Sequence, residues 1–246
     1  MEGMKALILA AGYATRLYPI TKDTAKPLIP VGNKSIINHI VEKLEKIDQV
    51  NEIVVVTNNK FYSDFCRWAD NYSCPKKIVI VNDKTLTNED RLGAIGDMHH
   101  VINRLNIDDN MLVIAGDNMF GFSLYNFVNF FNQKNSSIVA LHDLKDIEKV
   151  RNRFGVGIVE GSKVIDFEEK PSEPKSSLAA TACYIFAKDD LQMLKKVIEL
   201  GKADNSGDLI KHLVSESQVH GYVFNEHWFD IGNHEMLKEA RSFYEK

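Results

Sequence analysis

Two cations ten residues apart, Arg16 and Lys26, stand in a run of small residues that follows an apolar stretch ending at Ala10. The loop itself reads Leu9-Ala10-Ala11-Gly12-Tyr13-Ala14-Thr15-Arg16. Small residues let backbone N–H groups approach an anion closely, and fixed cations add charge to that cradle. The anion this pattern suits is the triphosphate of a nucleotide. Two common phosphate motifs are excluded. There is no Gly-Lys-Ser/Thr at the end of the loop, and only Gly12 of a Gly-x-Gly-x-x-Gly is present. Ala14 fits such a cradle provided that its φ stays negative.

A second group of chemistry-bearing residues is acidic. Ala115-Gly116-Asp117-Asn118 follows an apolar run, and Trp228-Phe229-Asp230-Ile231-Gly232 sets an aspartate among apolar neighbours. An isolated Asp after a strand is commonly a turn or helix cap. An aspartate flanked by aromatic residues needs a partner, because an isolated buried charge is costly. Two carboxylates converging on one Mg²⁺ satisfy both, since that ion takes one or two carboxylates together with substrate phosphates. Phe167-Glu168-Glu169-Lys170-Pro171 reads either as a charged strand exit or as a site for a phosphorylated polar ligand. His99-His100 are neighbours that a helix would point to different faces, so no metal role is expected of them.

The elements that must position these residues are legible as apolar runs alternating with helical patterns, the mark of an open α/β sheet. Strands are expected over 5–10, 52–57, 77–82, 110–115 and 137–141, with helices over 35–46 and 94–104. In the first helix Ile36, Ile40, Val41 and Leu44 share a face. A hairpin is expected over 156–159 and 163–168 about Gly161-Ser162, then a strand over 180–186. Helices over 191–199 and 208–216, a strand over 221–224 and a helix over 235–244 complete the reading, with Asp208 as a helix cap.

Length and composition bound the rest. The chain has 246 residues, 44% of them hydrophobic, with a net charge of −4, which argues against a dedicated nucleic-acid binder. No apolar run is long enough for a membrane span. Three cysteines without a Cys-x-x-Cys unit suit a reducing compartment, and with no signal-peptide pattern the expected location is cytoplasmic. Met1 and Met4 are both possible starts. With no linker or repeat, one domain over 1–246 is expected, residues 1–142 holding a nucleotide and 143–246 a second substrate.

The stretch from Leu7 to Val31 resembles the signature of the sugar-phosphate nucleotidylyltransferases, with Ala14 in place of a second glycine and Ala25 in place of a proline. Gly-Asp at 116–117, Glu-Lys-Pro at 169–171 and Trp-x-Asp at 228–230 follow in that family's order. The resemblance implies a Rossmann-like, mostly parallel twisted sheet flanked by helices, with a small β-rich acceptor part. It implies that Asp117 and Asp230 are metal ligands and that Arg16 and Lys26 hold nucleotide phosphates. Lys170 would then bind the acceptor phosphate and Glu169 the sugar hydroxyls. Leu9, Ala10, Ala11, Gly12, Ala14, Thr15 and Gly93 fall to the nucleotide, and Asn118, Gly157 and Thr181 to the acceptor, although Thr181 reads equally as a buried strand residue. Residues 88–97 resemble the segment that closes over the nucleoside, with Ala94 where threonine is usual. The implied reaction transfers NMP, from a pyrimidine NTP by preference, to a sugar 1-phosphate with Mg²⁺ as cofactor. A homo-oligomer is compatible with it. Phosphocholine as acceptor, or a non-catalytic nucleotide-sugar sensor, are the alternatives.

Overall fold

A computed structural model describes residues 3–245; Met1, and the choice between it and Met4, lies outside them. The first half of the chain runs β1 (Met4–Leu9), β2 (Pro30–Val31), β3 (Lys34–Ser35), α1 (Ile36–Leu44), β4 (Val50–Thr57), α2 (Tyr62–Asn71), β5 (Lys77–Asn82) and α3 (Gly93–Leu105). It continues through β6 (Asn110–Ala115), β7 (Asn118–Phe120), α4 (Leu124–Lys134) and β8 (Ile138–Asp143). The second half is β9 (Gly155–Glu160), β10 (Lys163–Glu169), β11 (Leu178–Phe186), α5 (Met193–Glu199), α6 (Ser206–Glu216), β12 (His220–Phe224), β13 (Trp228–Asp230) and α7 (His234–Tyr244).

Nine strands form one sheet in the order β5-β4-β1-β6-β11-β8-β12-β10-β9. The block β5-β4-β1-β6 is parallel, as is the pair β8–β12. β11 lies between β6 and β8, antiparallel to both, so a strand from the second half of the chain is built into the centre of the sheet. Strands buried on both faces read as continuous apolar runs. In β4, Ile53 and Val55 join the core on one face while Val54 and Val56 join the core on the other. The α1 residues Ile36, Ile40, Val41 and Leu44 pack into the first core, while Ile95 and Met98 of α3 and Leu209 and Leu213 of α6 pack into the second. The sheet is thus covered by helices on both sides, as the sequence pattern leads one to expect.

Most boundaries move by a few residues, and two of the shifts change a reading. Residues 188–192 form a 3₁₀ turn, and the helix proper begins at Met193. α6 starts at Ser206 with Asn205 at the capping position, so Asp208 lies in the first turn and is not the cap. No helix among the described residues is long and apolar enough to cross a membrane.

Candidate active site

β1 and β6 are paired in register, Leu9 beside Ala115, so both strands end at the same level. In open α/β sheets that edge is where ligands bind. The Gly116 N–H donates to the Leu9 carbonyl at 2.8 Å, tying the Arg16-bearing loop to Asp117. A short antiparallel ribbon of β7 and β13 then places Asn118 opposite Asp230, and Ile231 N–H donates to the Asp117 carbonyl at 3.1 Å. Backbone pairing therefore brings the two aspartates together. Lys26 opens a 3₁₀ turn and donates from Nζ to Asp117 Oδ2 at 2.6 Å. Burial pushes the Asp230 carboxyl up to about 6, the Asp117 charge adds to that, and Lys26, Arg16 and Arg153 work against it.

Asp117 and Asp230 are hard oxygen donors that repel each other in a partly buried site, which fits a divalent cation with phosphate oxygens as its other ligands. No cluster of three or more His, Cys, Asp or Glu suited to a metal occurs among the described residues.

Two cavities meet at these carboxylates. One of about 310 Å³ is walled by Glu169, Lys170, Thr181, Tyr184, Asn205 and Trp228. The other, of about 1000 Å³, holds Arg16, Lys26, Lys149 and Glu235. Asp117, Arg153, Phe154, Lys170 and Asp230 line both. Lys170 has a left-handed backbone (φ 47), which turns the chain out of β10; its N–H donates to the Phe154 carbonyl, and its Nζ donates to Asn205 Oδ1 at 2.6 Å. Glu169 sits beside it, Lys170 Nζ to Oε1 at 3.5 Å, and burial raises its carboxyl above the usual range. Gly207 is required for this: a Cβ there would stand 2.0 Å from Glu169 Oε2.

Several expected contacts are already taken. The Thr181 hydroxyl is buried and donates to the Ala140 carbonyl at 3.1 Å, so it is not free for a sugar. Asn118 is 2% exposed, and its Oδ1 accepts the Trp228 indole N–H at 2.7 Å; it orients the ribbon. Gly157 packs on Leu141 in β9, and it is Gly155, one pleat earlier, that lines the smaller cavity. In the loop, Ala10 N–H donates to Val56 and the Ala11 carbonyl accepts from Asn58, which leaves Gly12 as the exposed small residue. Thr15 and Arg16 are also exposed. Ala14 has φ 50, so the expected negative φ does not hold: an alanine stands in the left-handed backbone that glycine takes more readily, and Thr21 Oγ1 donates to its carbonyl at 2.7 Å.

Gly93 packs against the segment 203–204. Its φ is +78, and a Cβ would lie 2.5 Å from both the Ala203 carbonyl and the Asp204 Cα. The N–H groups of Ala94 and Ile95 donate to the Asp204 and Ala203 carbonyls, so the α3 N-terminus is capped by the segment that walls the smaller cavity. Arg91 adds a two-pronged pair to Asp204, both at 3.0 Å. Sequence reasoning missed Arg153, Phe154 and Asn205. The first two carry a signal, a cation beside an aromatic just before the hairpin; Asn205 carries none.

Residues 5–246 match the nucleotidyl transferase family. The chain is 30% identical over 244 residues to the bifunctional protein GlmU of Methanocaldococcus jannaschii, covering 98% of this chain and 54% of that one. A Sulfolobus acidocaldarius protein assigned as a mannose-1-phosphate guanyltransferase is 28% identical over 93% of this chain and 60% of its own. The chain thus spans little more than half the length of the curated relatives it matches. Among solved structures, a Bacillus anthracis protein assigned as a glucose-1-phosphate thymidylyltransferase superposes with a TM-score of 0.84 at 29% identity, covering 99% of this chain and 96% of that one. An apo UDP-glucose pyrophosphorylase shares the fold at a TM-score of 0.83, 22% identity and 99% and 98% coverage. With the cation loop, the paired aspartates and the Glu-Lys-Pro turn around one cleft, the chain belongs to the nucleotidyl transferase family.

Proposed function

We propose that this chain transfers NMP from an NTP to a sugar 1-phosphate and releases pyrophosphate. The observation that carries the reading is the meeting of two cavities at Asp117, Lys170 and Asp230, with the loop cations on one side and Glu169 on the other. Residues 1–142 supply the nucleotide side and 143–246 the acceptor side of one catalytic unit.

A phosphate monoester has a second pKa of about 6, so the nucleophile is mostly dianionic at neutral pH and needs no general base. An acceptor phosphate oxygen forms the bond to the α-phosphorus while the bond from that phosphorus to the bridging β-oxygen breaks. The electron pair leaves with pyrophosphate. Catalysis is then positioning and charge neutralisation. Arg16 would hold the β and γ phosphates, and Lys26, fixed on Asp117, would meet the charge that builds on the α-phosphate. Lys170 orients the acceptor and Glu169 accepts from its hydroxyls. Asp117 and Asp230 would hold Mg²⁺, which supplies Lewis-acid neutralisation of the phosphate oxygens when bound.

A pyrimidine is the proposed base, because Gly12 stands exposed in the small-residue loop with its backbone open to a base edge, beside the buried Tyr13, whose hydroxyl lies 3.2 Å from Thr85 Oγ1. A relative assigned to guanyl transfer makes the base a matter for direct test. One observation supports a second acceptor class. Phe154 and Trp228 lie 5.0 Å apart on the cavity wall near Glu169 and Asp204, a setting suited to a quaternary ammonium.

The test is a pyrophosphate-release screen of UTP, CTP, dTTP, ATP and GTP against hexose 1-phosphates and phosphocholine, with Mg²⁺. Release with a pyrimidine NTP and glucose 1-phosphate is expected. Turnover with phosphocholine alone would move the acceptor to the second class, and GTP or ATP alone would refute the base. No release with any pair would refute the transferase reading and favour a sensor. Lys170→Ala is expected to raise the acceptor KM, and Lys26→Ala to lower kcat at saturating NTP.

A further inference from the structure

We propose that Arg153 is a second cation for the acceptor, its guanidinium gripping the acceptor phosphate where the two cavities join. The inference rests on the transferase reading above. Of the residues that line both cavities, Arg153 and Lys170 are the two cations. A dianionic monoester seated there calls for more than one positive charge. The Lys170 ammonium is already shared between Asn205 Oδ1 at 2.6 Å and Glu169 Oε1 at 3.5 Å. The Arg153 guanidinium has no side-chain hydrogen bond or ion pair among the described residues, and it keeps its fork of donors for a ligand.

Its position is nevertheless fixed. The guanidinium lies over the Phe154 ring, 5.1 Å from the centroid. Phe154 in turn packs on Trp228, which Asn118 holds by the indole N–H. The turn that carries Arg153 is bound to the Lys170 segment from both sides. Asn152 N–H donates to the Pro171 carbonyl at 3.0 Å, and Lys170 N–H to the Phe154 carbonyl at 3.2 Å. The two cations are therefore delivered by adjacent, hydrogen-bonded backbone, whereas Arg16 and Lys26 come from the separate loop after β1. That shared origin assigns Arg153 to the acceptor and not to the departing phosphates. Arg153 moves no proton in this role; it aims the attacking oxygen and neutralises the monoester as its charge passes to the new phosphoanhydride.

Steady-state kinetics of Arg153→Gln, Arg153→Lys and the control Lys163→Gln, an exposed lysine of β10 outside both cavities, test this, with dTTP or UTP and glucose 1-phosphate. Charge-assisted hydrogen bonds to phosphate predict an acceptor KM raised about 10- to 100-fold in Arg153→Gln. The NTP KM should be unchanged, Arg153→Lys should recover part of the loss, and Lys163→Gln should resemble the wild type. An unchanged acceptor KM, a rise in the NTP KM alone, or an equal effect of Lys163→Gln would overturn the assignment. Calorimetric titration with inorganic phosphate separates the two claims. If the wild type releases no pyrophosphate with any pair, the transferase reading fails. Phosphate binding that Arg153→Gln loses still supports an anion contact at Arg153, and equal or absent binding in both proteins overturns it.

Discussion

Asp97 on α3 is 6% exposed, and its Oδ1 is buried without a hydrogen-bond partner. Its neighbour Asp83 is 5% exposed and accepts from the Thr85 N–H at 2.7 Å and the Thr85 hydroxyl at 2.9 Å. Burial, then the Asp83 charge, then a hydrogen bond that protonated Asp97 gives to Asp83 push the Asp97 carboxyl up to about 8. Asp83 is raised as well, chiefly by burial, so the pair holds one proton near neutrality. The unfolded value is about 3.9, so the folded state binds more protons across the interval between. Stability from this source is therefore full below about pH 4 and falls as pH rises toward about 8, with a slope of up to about 1.4 kcal/mol per pH unit. If Asp97 carried the whole shift, the loss would be on the order of 5 kcal/mol; sharing with Asp83 and local relaxation reduce it to about 2–3 kcal/mol. Asp97→Asn keeps the shape and the donor to Asp83 but does not titrate. Thermal unfolding of both proteins at pH 5.5, 7.0 and 8.5 reads the effect. The range from pH 5.5 to 8.5 covers about three-fifths of that loss, so for a chain of this length the variant is expected to gain about 2–8 °C in Tm over the wild type between the lowest and highest pH. The lowered histidines, such as His142 and His227, titrate in both proteins and cancel in the difference. A Tm difference that is the same at all three pH values would refute the shared proton.

Asp230→Asn is expected to keep the fold, because it removes a charge that Asp117 repels, yet to lower turnover by at least about 10²-fold; calorimetry with Mg²⁺ should show weakened binding, and full activity would remove Asp230 from the site. Thr181→Val should cost about 1 kcal/mol through the lost bond to Ala140 and leave the acceptor KM unchanged; a large rise in KM would return its hydroxyl to the ligand. Gly207→Ala should displace the Glu169 carboxylate and weaken the acceptor at constant NTP KM, so wild-type kinetics in that variant would show that Glu169 is not a ligand.

Much of the frame is readable because its signals are local. The runs at 77–82 and 110–115 are strands with those bounds, since apolar residues with β-branched side chains stop at polar or turn residues. The convergence of Arg16, Lys26, Asp117, Glu169, Lys170 and Asp230 on one cleft follows from ordered motifs at strand ends. Long-range pairing is less legible. Nothing in the run at 178–186 says that it inserts between β6 and β8, because a strand's neighbours depend on sheet order and not on its own pattern. Thr181 and Asn118 have the right chemistry for ligands, yet both are spent on the fold, a difference that only the Ala140 carbonyl and the Trp228 indole reveal. Arg153 escaped notice for the opposite reason. A cation beside an aromatic before a hairpin says little by itself, and the importance of Arg153 comes from where the Pro171 and Phe154 backbone bonds hold its turn.

The docking of Gly93 and Arg91 onto Ala203 and Asp204 bears on how such a protein could be re-engineered. The segment assigned by resemblance to the nucleoside and the segment that walls the acceptor cavity are one mechanical piece, joined by three helix-end hydrogen bonds and a two-pronged ion pair. A side chain introduced at 93 would push on 203–204, so a mutation made on the nucleotide side would register in kinetics as an acceptor defect. Grafting residues 88–97 alone from a relative would leave the donor's new helix start facing a foreign dock. Exchange of base preference therefore calls for a paired graft, 88–97 together with 203–207, moved as a single cassette.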